Sequence, residues 1–185
     1  VNAGVAMPGN VMNLSESLID LHLDVNLRSA ILLCQASAKT MAKATTGHII
    51  ATVSMGGITP MTGTAVYSAT KFAMRGFLSA FYSELKPLGV AVSGIYPSAV
   101  DTEMLRNEVR NDGSPLNFVS SVATVSNVAN SVQYAIKTKK LEVYVSSMDG
   151  FVSRFVGFFP SMLDRLYPTL EKMGRKGMAT YLERK

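Results

Sequence analysis

Two apolar runs with a helical segment between them are the feature that most restricts the fold. Residues 49–53 and 90–96 are almost entirely apolar and have the length of buried strands. Between them, residues 65–86 carry apolar side chains at helical spacing and are followed by Pro87 and Gly89. Because strands that alternate with helices form parallel sheets, this part of the chain predicts an α/β fold with helices on both faces of a sheet.

The flanking residues continue the alternation of helices and strands. A helix is predicted from Ser15 to about Thr45, and another from Thr124 through Lys137. Residues 142–146 favour a final strand. With 185 residues and 48% hydrophobic composition, the chain is long enough to bury one core. The sequence therefore predicts a single α/β domain.

The cysteine and histidine content restricts the chemistry. Cys34 is the only cysteine, which excludes an intrachain disulfide and is typical of a reducing compartment. A cytoplasmic location is therefore expected. His22 and His48 have no metal-ligand partner at a useful spacing, so no metal site is predicted.

Three polar residues have the spacing of an acid-base site. Ser54 follows the first strand, at the carboxyl edge where open α/β sheets bind ligands. Tyr67 comes thirteen residues later, and Lys71 lies one helical turn further on the same face. We expect the Lys71 ammonium to lower the pKa of the Tyr67 phenol from its usual value of about 10, so that Tyr67 can act as a general acid and base. A Y-x-x-x-K pair by itself is more often a surface pair, so the assignment depends on the surrounding residues.

The segment from Ser54 to Lys71 resembles the active-site segment of the short-chain dehydrogenase/reductase family, which has a serine followed after thirteen residues by Y-x-x-x-K. The run D-V-N-L-R-S around Asn26 resembles the family's fourth catalytic position, an asparagine whose backbone holds a water that links the lysine to bulk solvent. The resemblance covers residues 1 to about 150 and implies the C-terminal portion of a Rossmann-like, doubly wound parallel sheet. The implied catalytic residues are Asn26, Ser54, Tyr67 and Lys71.

The resemblance also implies a nicotinamide cofactor, NAD or NADP. The opening V-N-A-G resembles the motif that ends the family's fourth strand and lines the cofactor cleft. The run Y-P-S-A-V-D-T-E-M resembles the loop that contacts the nicotinamide, although Ser98 stands where glycine is usual, which affects the backbone angles of this loop. The implied cofactor-binding residues are Asn2, Ala3, Gly4, Tyr67, Lys71, Pro97, Ser98, Val100 and Thr102.

A glycine-rich dinucleotide-binding turn, which the family has upstream of its fourth strand, does not follow any strand of this sequence. We therefore expect the chain to be part of a longer protein. The choice between NAD and NADP is normally made by residues in that upstream part, so it is not predicted. In the family, the helix that corresponds to residues 65–86 also packs against its counterpart in a partner subunit, so a homo-oligomer is expected.

The last segment, residues 151–185, combines aromatic and aliphatic residues with basic ones. It holds seven basic and three acidic residues, so four of the five net positive charges of the chain lie there. Arg154 and Pro160 interrupt its apolar run, which is too short to span a bilayer. Two roles fit this helical extension: a lid over an apolar substrate pocket, which is favoured, or a basic amphipathic segment in peripheral contact with a membrane. The polar residues 103–123 are predicted to be a mobile segment that closes over the substrate.

Other chemistries fit the sequence less well. A serine hydrolase needs G-x-S-x-G around its nucleophile, and Thr52 occupies the position of the first glycine. The basic residues follow no nucleic-acid-binding motif, so no nucleic acid is expected as a partner. The resemblance implies an oxidoreductase that transfers hydride between NAD(P) and an alcohol/ketone pair, with a hydrophobic substrate. The alternative is a truncated, non-catalytic chain that acts only as an oligomerisation or interaction module.

Overall fold

The fold alternates helices with short strands. The computed structural model describes residues 1–111, 113–157 and 159–184, with the backbone alone for residues 160–164. The described helices are α1 Glu16–Leu23, α2 Ser29–Lys43, α3 Ala65–Leu85, α4 Glu103–Arg110, α5 Val125–Thr138, α6 Ser147–Gly157 and α7 Pro160–Glu183. The described strands are β1 Gly47–Thr52, β2 Val90–Tyr96 and β3 Glu142–Tyr144.

The strands form one parallel sheet in the order β1-β2-β3, which confirms the predicted α/β fold. β1 and β2 pair over six residues. Val1 continues the sheet on the other edge of β1, because its backbone nitrogen donates to the Ile50 carbonyl at 2.7 Å and its carbonyl accepts from the Thr52 N–H at 2.9 Å. β3 is two residues shorter than predicted, although the Val145 N–H still donates to the Tyr96 carbonyl at 3.3 Å.

Different helices cover the two faces of the sheet. On one face, residues of α2 and α3 form a large buried cluster with β1 and β2, to which Cys34, Ile49 and Val92 belong. On the other face, Ala135 of α5 packs with Ile95 of β2. Because side chains alternate along a strand, successive residues of β2 contribute to opposite clusters. The predicted helices on both faces are confirmed.

The predicted helix over residues 15–45 contains an irregular turn near its middle. It begins at Ser15, whose hydroxyl accepts a hydrogen bond from the Leu18 N–H at 3.3 Å. Between α1 and α2, residues Asp24–Arg28 form a π turn, which adds one residue to the helical repeat and is often found at functional sites. The π turn contains Asn26, which is buried.

The segment 103–123 contains helical structure that its sequence does not indicate. α4 is held by charge pairs, since the guanidinium groups of Arg106 and Arg110 bind the Glu103 carboxylate at 3.1 and 3.0 Å. A short 3-10 turn follows at Pro115–Phe118. The sequence analysis did not predict α4, in which Leu105 is the only buried residue, and the mobility of the segment stays a prediction.

α7 packs directly on the turn at residues 115–118. A Cβ on Gly174 would overlap the Pro115 carbonyl oxygen, and one on Gly177 would overlap the Phe118 carbonyl oxygen. Near the end of α7, the Tyr181 hydroxyl donates to Asp101 Oδ1 at 2.7 Å. These contacts join α7 to the segment that follows β2. The predicted boundary between residues 150 and 151 falls inside α6, and how the chain divides into domains stays a prediction.

Candidate active site

Ser54 lies where β1 has ended and the chain turns away from the carboxyl edge of the sheet. Its hydroxyl accepts a hydrogen bond from the Gly56 N–H at 3.0 Å, which caps the 3-10 turn Met55–Gly57. The Met55 N–H donates to the Pro97 carbonyl at 2.9 Å. The predicted serine and the predicted loop after β2 are therefore neighbours beyond the end of the sheet.

Tyr67 and Lys71 lie on the first two turns of α3, one turn apart, as predicted. The Lys71 Nζ is 5.5 Å from the centroid of the Tyr67 ring. Gly56 lies between the serine and the tyrosine, because a Cβ there would be 3.4 Å from Ser54 Oγ and 3.1 Å from Tyr67 Cε1. The fold thus brings Ser54 and Tyr67 together across a residue that has no side chain, with Lys71 beside the tyrosine ring.

Gly57 allows the 3-10 turn to lie directly on α3. A Cβ on Gly57 would be 2.7 Å from the Lys71 carbonyl oxygen and 2.9 Å from its carbonyl carbon. A larger residue would push the turn, and Ser54 with it, away from α3. Sequence reasoning did not single out Gly57, although glycine next to a strand is a known sign of close backbone approach.

Lys71 is buried but incompletely hydrogen-bonded. Its side chain is 5% exposed, and among the described residues its Nζ donates only to the Thr52 carbonyl, at 3.5 Å. Burial lowers the pKa of Lys71 to about 8, because a charged ammonium is poorly solvated there. An ammonium has three hydrogens to donate, so Lys71 keeps donors for a ligand. Gly4 leaves space beside it, since a Cβ on Gly4 would be 3.7 Å from Nζ.

The pKa of Tyr67 shifts in the direction opposite to the prediction. Burial raises the pKa of Tyr67 to about 12. The Ser54 hydroxyl acts to lower this pKa, whereas the negative charge of Glu108 raises it further. The predicted lowering of the phenol pKa by Lys71 is therefore wrong for this structure, in which the effect of burial dominates. At neutral pH the Tyr67 phenol keeps its proton.

Asn26 fastens the N-terminal segment to the helices. Its Oδ1 accepts from the Val5 N–H at 2.7 Å, and its Nδ2 donates to the Val5 carbonyl at 2.9 Å. Nδ2 also lies 3.3 Å from the Thr70 hydroxyl oxygen on α3. The side chain therefore positions the chain around Gly4 relative to α3, a role that sequence reasoning missed. The predicted role of the Asn26 backbone in holding a water stays a prediction.

A cavity of about 660 Å³ lies over these groups at the carboxyl edge of the sheet. Its lining includes most of the predicted site residues: Asn2, Gly4, Ser54, Tyr67, Lys71, Pro97, Ser98, Val100 and Thr102. Ala3 and Asn26 are not in the lining, because Ala3 is exposed to solvent and Asn26 is buried against Val5. The structure thus gathers in one cavity the predicted residues from four separate segments.

Much of the remaining wall of the cavity comes from segments after β2. We call α4, the turn at residues 115–118, α6 and α7 the cap. The cap residues that line the cavity are Met104, Leu105, Glu108, Leu116, Asn117, Asp149, Val152, Ser153, Val156 and Leu170. Part of the C-terminal extension therefore lines the cavity, as a lid would. Sequence reasoning missed Glu108, Asn117 and Asp149, because nothing in their local pattern distinguishes them from solvated polar residues.

Within the described residues, no cluster of three or more histidine, cysteine, aspartate or glutamate side chains could hold a metal ion. None of the helices in the described ranges is both long and apolar enough to cross a bilayer. The homo-oligomer, the peripheral membrane contact, the absence of nucleic-acid partners and the cytoplasmic location stay predictions.

The family model described as short chain dehydrogenase matches residues 1–113. The chain therefore belongs to the short-chain dehydrogenase family, and the predicted family is confirmed. An uncharacterized oxidoreductase of Bacillus subtilis, YjdA, is 31% identical over 135 residues, which cover 72% of this chain and 54% of that protein. Dehydrogenase/reductase SDR family member 7B of Xenopus tropicalis is 26% identical over 151 residues, which cover 80% of this chain and 49% of the relative. The chain spans about half the length of the curated relatives that it matches.

Solved structures have the same fold. A short-chain dehydrogenase from Sphingobium yanoikuyae in complex with NADPH matches with a TM-score of 0.68 and 24% identity, over 77% of this chain and 54% of that one. A 4-hydroxyisoleucine dehydrogenase complexed with NADH and succinate matches with a TM-score of 0.66 and 21% identity, over 77% of this chain and 63% of the other. At these identities the likeness concerns the fold, and it agrees with the Rossmann-like sheet expected from the sequence.

Proposed function

We propose that this chain supplies the acid-base and substrate-binding part of an NAD(P)-dependent oxidoreductase that interconverts a hydrophobic alcohol and the corresponding ketone. The observation that carries the proposal is the meeting of Ser54, Tyr67 and Lys71 at one cavity on the carboxyl edge of a parallel sheet. Family membership supports the reaction class, since the related proteins are named as oxidoreductases and dehydrogenases.

The cavity fits a nicotinamide cofactor. Lys71 is buried and has donors to spare, which suits the hydroxyl groups of a ribose. Gly4 has no side chain that would fill the space beside its Nζ. Asn2 and the loop residues Val100 and Thr102 line the same cavity and would hold the rest of the nicotinamide half. Structural relatives with NADH or NADPH bound support this proposal.

The protein's own residues would orient the substrate and move a proton. A bound nicotinamide cofactor supplies or accepts the hydride. Tyr67, which holds its proton at neutral pH, would donate it to the carbonyl oxygen when a ketone is reduced. The Ser54 hydroxyl would hydrogen-bond that oxygen and orient it, while Lys71 would stabilise the phenolate left behind. Asn26 would hold the N-terminal segment at a fixed position relative to α3, next to Lys71.

The lining of the cavity supports a hydrophobic substrate. Cap residues such as Leu105, Val152 and Val156 present aliphatic side chains to the cavity near the proposed reacting groups. Such a wall favours a substrate with a sizeable apolar body, because burying that body releases water from both surfaces.

Replacing Tyr67 by phenylalanine tests the proposal. In the full-length protein with NADH or NADPH, Tyr67→Phe should lower the rate of ketone reduction by about 10³-fold, because the proton donor is lost while the ring remains. Tyr82→Phe is the matched control, since Tyr82 lies on the same helix and packs in the core rather than at the cavity. A Tyr67→Phe protein that keeps most of the wild-type rate would show that Tyr67 is not the acid.

Cofactor titration separates this proposal from the non-catalytic alternative. Saturable quenching or enhancement of NADH or NADPH fluorescence by the folded protein is expected if the chain belongs to an active enzyme. A folded protein that binds neither cofactor would favour the interaction module, and its self-association would then be measured by ultracentrifugation.

A further inference from the structure

The charged residues of the cavity are distributed unevenly. Among its described lining residues, three carry a formal charge: Lys71, Glu108 and Asp149. Lys71 belongs to the proposed reacting centre. The other two are carboxylates of the cap, and no described lysine or arginine side chain pairs with either of them. The cap wall is therefore apolar with an acidic part.

Glu108 differs from the other glutamate of α4. Glu103 is exposed to solvent and binds Arg106 and Arg110 of its own helix. Glu108 faces the cavity, where its Oε2 accepts a hydrogen bond from Asn117 Nδ2 at 2.9 Å. Among the described residues, no group donates to Glu108 Oε1. Asn117 also lines the cavity, so both members of the pair border it, and Oε1 of Glu108 is left without a described donor.

The carboxylate of Glu108 acts on the reacting centre through space. Its negative charge raises the pKa of Tyr67, so the two groups interact within one weakly solvated volume. Burial also raises the pKa of Glu108, while the bond from Asn117 opposes this rise. Keeping a charged carboxylate in such surroundings costs free energy unless a hydrogen-bond donor satisfies it. Carboxylates with raised pKa values are common among ligand-binding groups.

Asp149 adds a second acceptor to the same wall. It lies in the first turn of α6, and its Oδ2 accepts a hydrogen bond from the Ser120 hydroxyl at 3.1 Å. Both carboxylates are thus held in place by a neighbouring residue: Glu108 by the Asn117 amide and Asp149 by the Ser120 hydroxyl. The cap thus contributes two carboxylates to the lining of the cavity, and no described lysine or arginine of the cap lines the cavity beside them.

We propose that Glu108, held by Asn117, binds a hydrogen-bond donor on the part of the substrate away from the reacting carbonyl, and that it rejects substrates with an anionic group there. This inference rests on the proposed function. It narrows the substrate from any hydrophobic ketone to an apolar ketone or alcohol that also carries a hydroxyl or an ammonium group. Fatty ketones that end in a carboxylate or phosphate are excluded by charge repulsion in a poorly solvated cavity.

The test compares methyl ketones of one chain length that end in a methyl, hydroxyl, ammonium or carboxylate group, repeated over a homologous series. The measured quantity is the ratio of kcat/KM between two ketones, which cancels any common effect on the chemical step. In the wild type, kcat/KM should be higher for the hydroxyl or ammonium ketone than for the carboxylate ketone. Whichever of the two is preferred tells whether the donor is neutral or charged.

Glu108→Gln should shrink this ratio by about tenfold or more, because the amide keeps the shape but loses the charge. Glu103→Gln is the matched control on the same helix, and its ratio should equal that of the wild type. If Glu108 only holds the turn at residues 115–118, its substitution will change kcat/KM by the same factor for all four ketones. The ratio will then stay constant, which overturns the inference.

A binding measurement keeps this test independent of turnover. Calorimetric titration with an alkylammonium salt and with the matching alkanoate, neither of which can react, should show a preference for the ammonium that Glu108→Gln reduces. If no ketone reacts but this preference exists, the proposed function fails and the acidic site stands. If ketones react but neither the kinetic ratio nor the binding preference depends on Glu108, the proposed function stands and the site fails.

Discussion

The sheet with α2 and α3 and the cap over the cavity are built in different ways. In the sheet region, Ile49, Ala51 and Val92 are at most 3% exposed and belong to one continuous core. In the cap, Phe151 and Phe155 are 65% and 54% exposed. The first region is closed by this core, whereas the cap is joined mainly by the close packing of α7 on residues 115–118 and leaves large aromatic side chains exposed.

This difference corresponds to a division of labour in the proposed enzyme. Ser54, Tyr67 and Lys71 all lie on the close-packed region, where a displacement of one group would require the core to move. The groups proposed to select the substrate lie on the cap, and the family model stops at residue 113, close to where most of the cap begins. In the proposed enzyme the reacting groups thus lie on the core, and the groups proposed to select the substrate lie on the cap.

The largest expected effect comes from Gly57→Ala. The added methyl would meet the Lys71 carbonyl at 2.7 Å, so we expect the free energy of unfolding to fall by about 3 kcal/mol. Displacement of Ser54 from Tyr67 should also lower activity about 100-fold. Gly76→Ala on the exposed face of α3 has open space around its Cβ and should be neutral or stabilising by up to about 1 kcal/mol. Equal stability of the two variants in urea unfolding would contradict the close contact.

Lys71→Met should have the next largest effect on stability, and the size of this effect depends on pH. The pKa of Lys71 is about 8 in the folded protein and about 10.4 in an unfolded chain, so between these values the unfolded state binds more protons. Stability therefore rises with pH across this window and is lowest below pH 8. At pH 7 Lys71→Met should be more stable than the wild type by about 2 kcal/mol, with a smaller difference at pH 10. A difference that does not change with pH would mean that Lys71 is not destabilised by burial.

Gly177→Ala should loosen the cap without unfolding the core. Its methyl would overlap the Phe118 carbonyl oxygen, which pushes α7 from the turn at residues 115–118. We expect amide hydrogen exchange in this turn to speed up about tenfold, while exchange in β1 and β2 stays at its wild-type rate. In the control Gly157→Ala, the new Cβ comes no closer than 3.4 Å to the Ile58 carbonyl oxygen, so exchange should be unchanged. Acceleration throughout the sheet would mean that core and cap unfold together.

The smallest effect on stability is expected for Phe155→Ser, within about 0.5 kcal/mol, because the ring is already half exposed. If the basic C-terminal extension makes the predicted membrane contact, the same change should weaken cosedimentation with anionic vesicles severalfold. Ile136→Ser on α5, which removes an apolar side chain of similar exposure, should leave vesicle binding as it was. Equal binding by Phe155→Ser and the wild type would exclude a membrane role for this face.

The sequence predicted the elements whose buried residues form a recognisable apolar pattern along the chain. β1 and β2 were predictable because they are nearly continuous apolar runs of strand length, and α3 because its apolar side chains recur at helical spacing. α4 was not, since it has a single buried residue and is held by pairs between Arg106, Arg110 and Glu103. Asn26 could be singled out as a site residue from its surrounding motif, but its side-chain bonds to Val5 could not, because they join residues 21 positions apart.

The sequence by itself was enough to identify the family and to predict Ser54, Tyr67 and Lys71 as site residues, because these three residues lie within one short segment with a recognisable spacing. Only the tertiary structure decided the electrostatics of the site, since the pKa of Tyr67 depends on how deeply this side chain is buried. It also decided which polar residues of the cap face the cavity. Glu103 and Glu108 are both glutamates of α4, and the sequence does not distinguish them. In the structure Glu103 pairs with Arg106 on the exposed side, whereas Glu108 accepts a hydrogen bond from Asn117 at the cavity. Packing between distant segments makes this distinction.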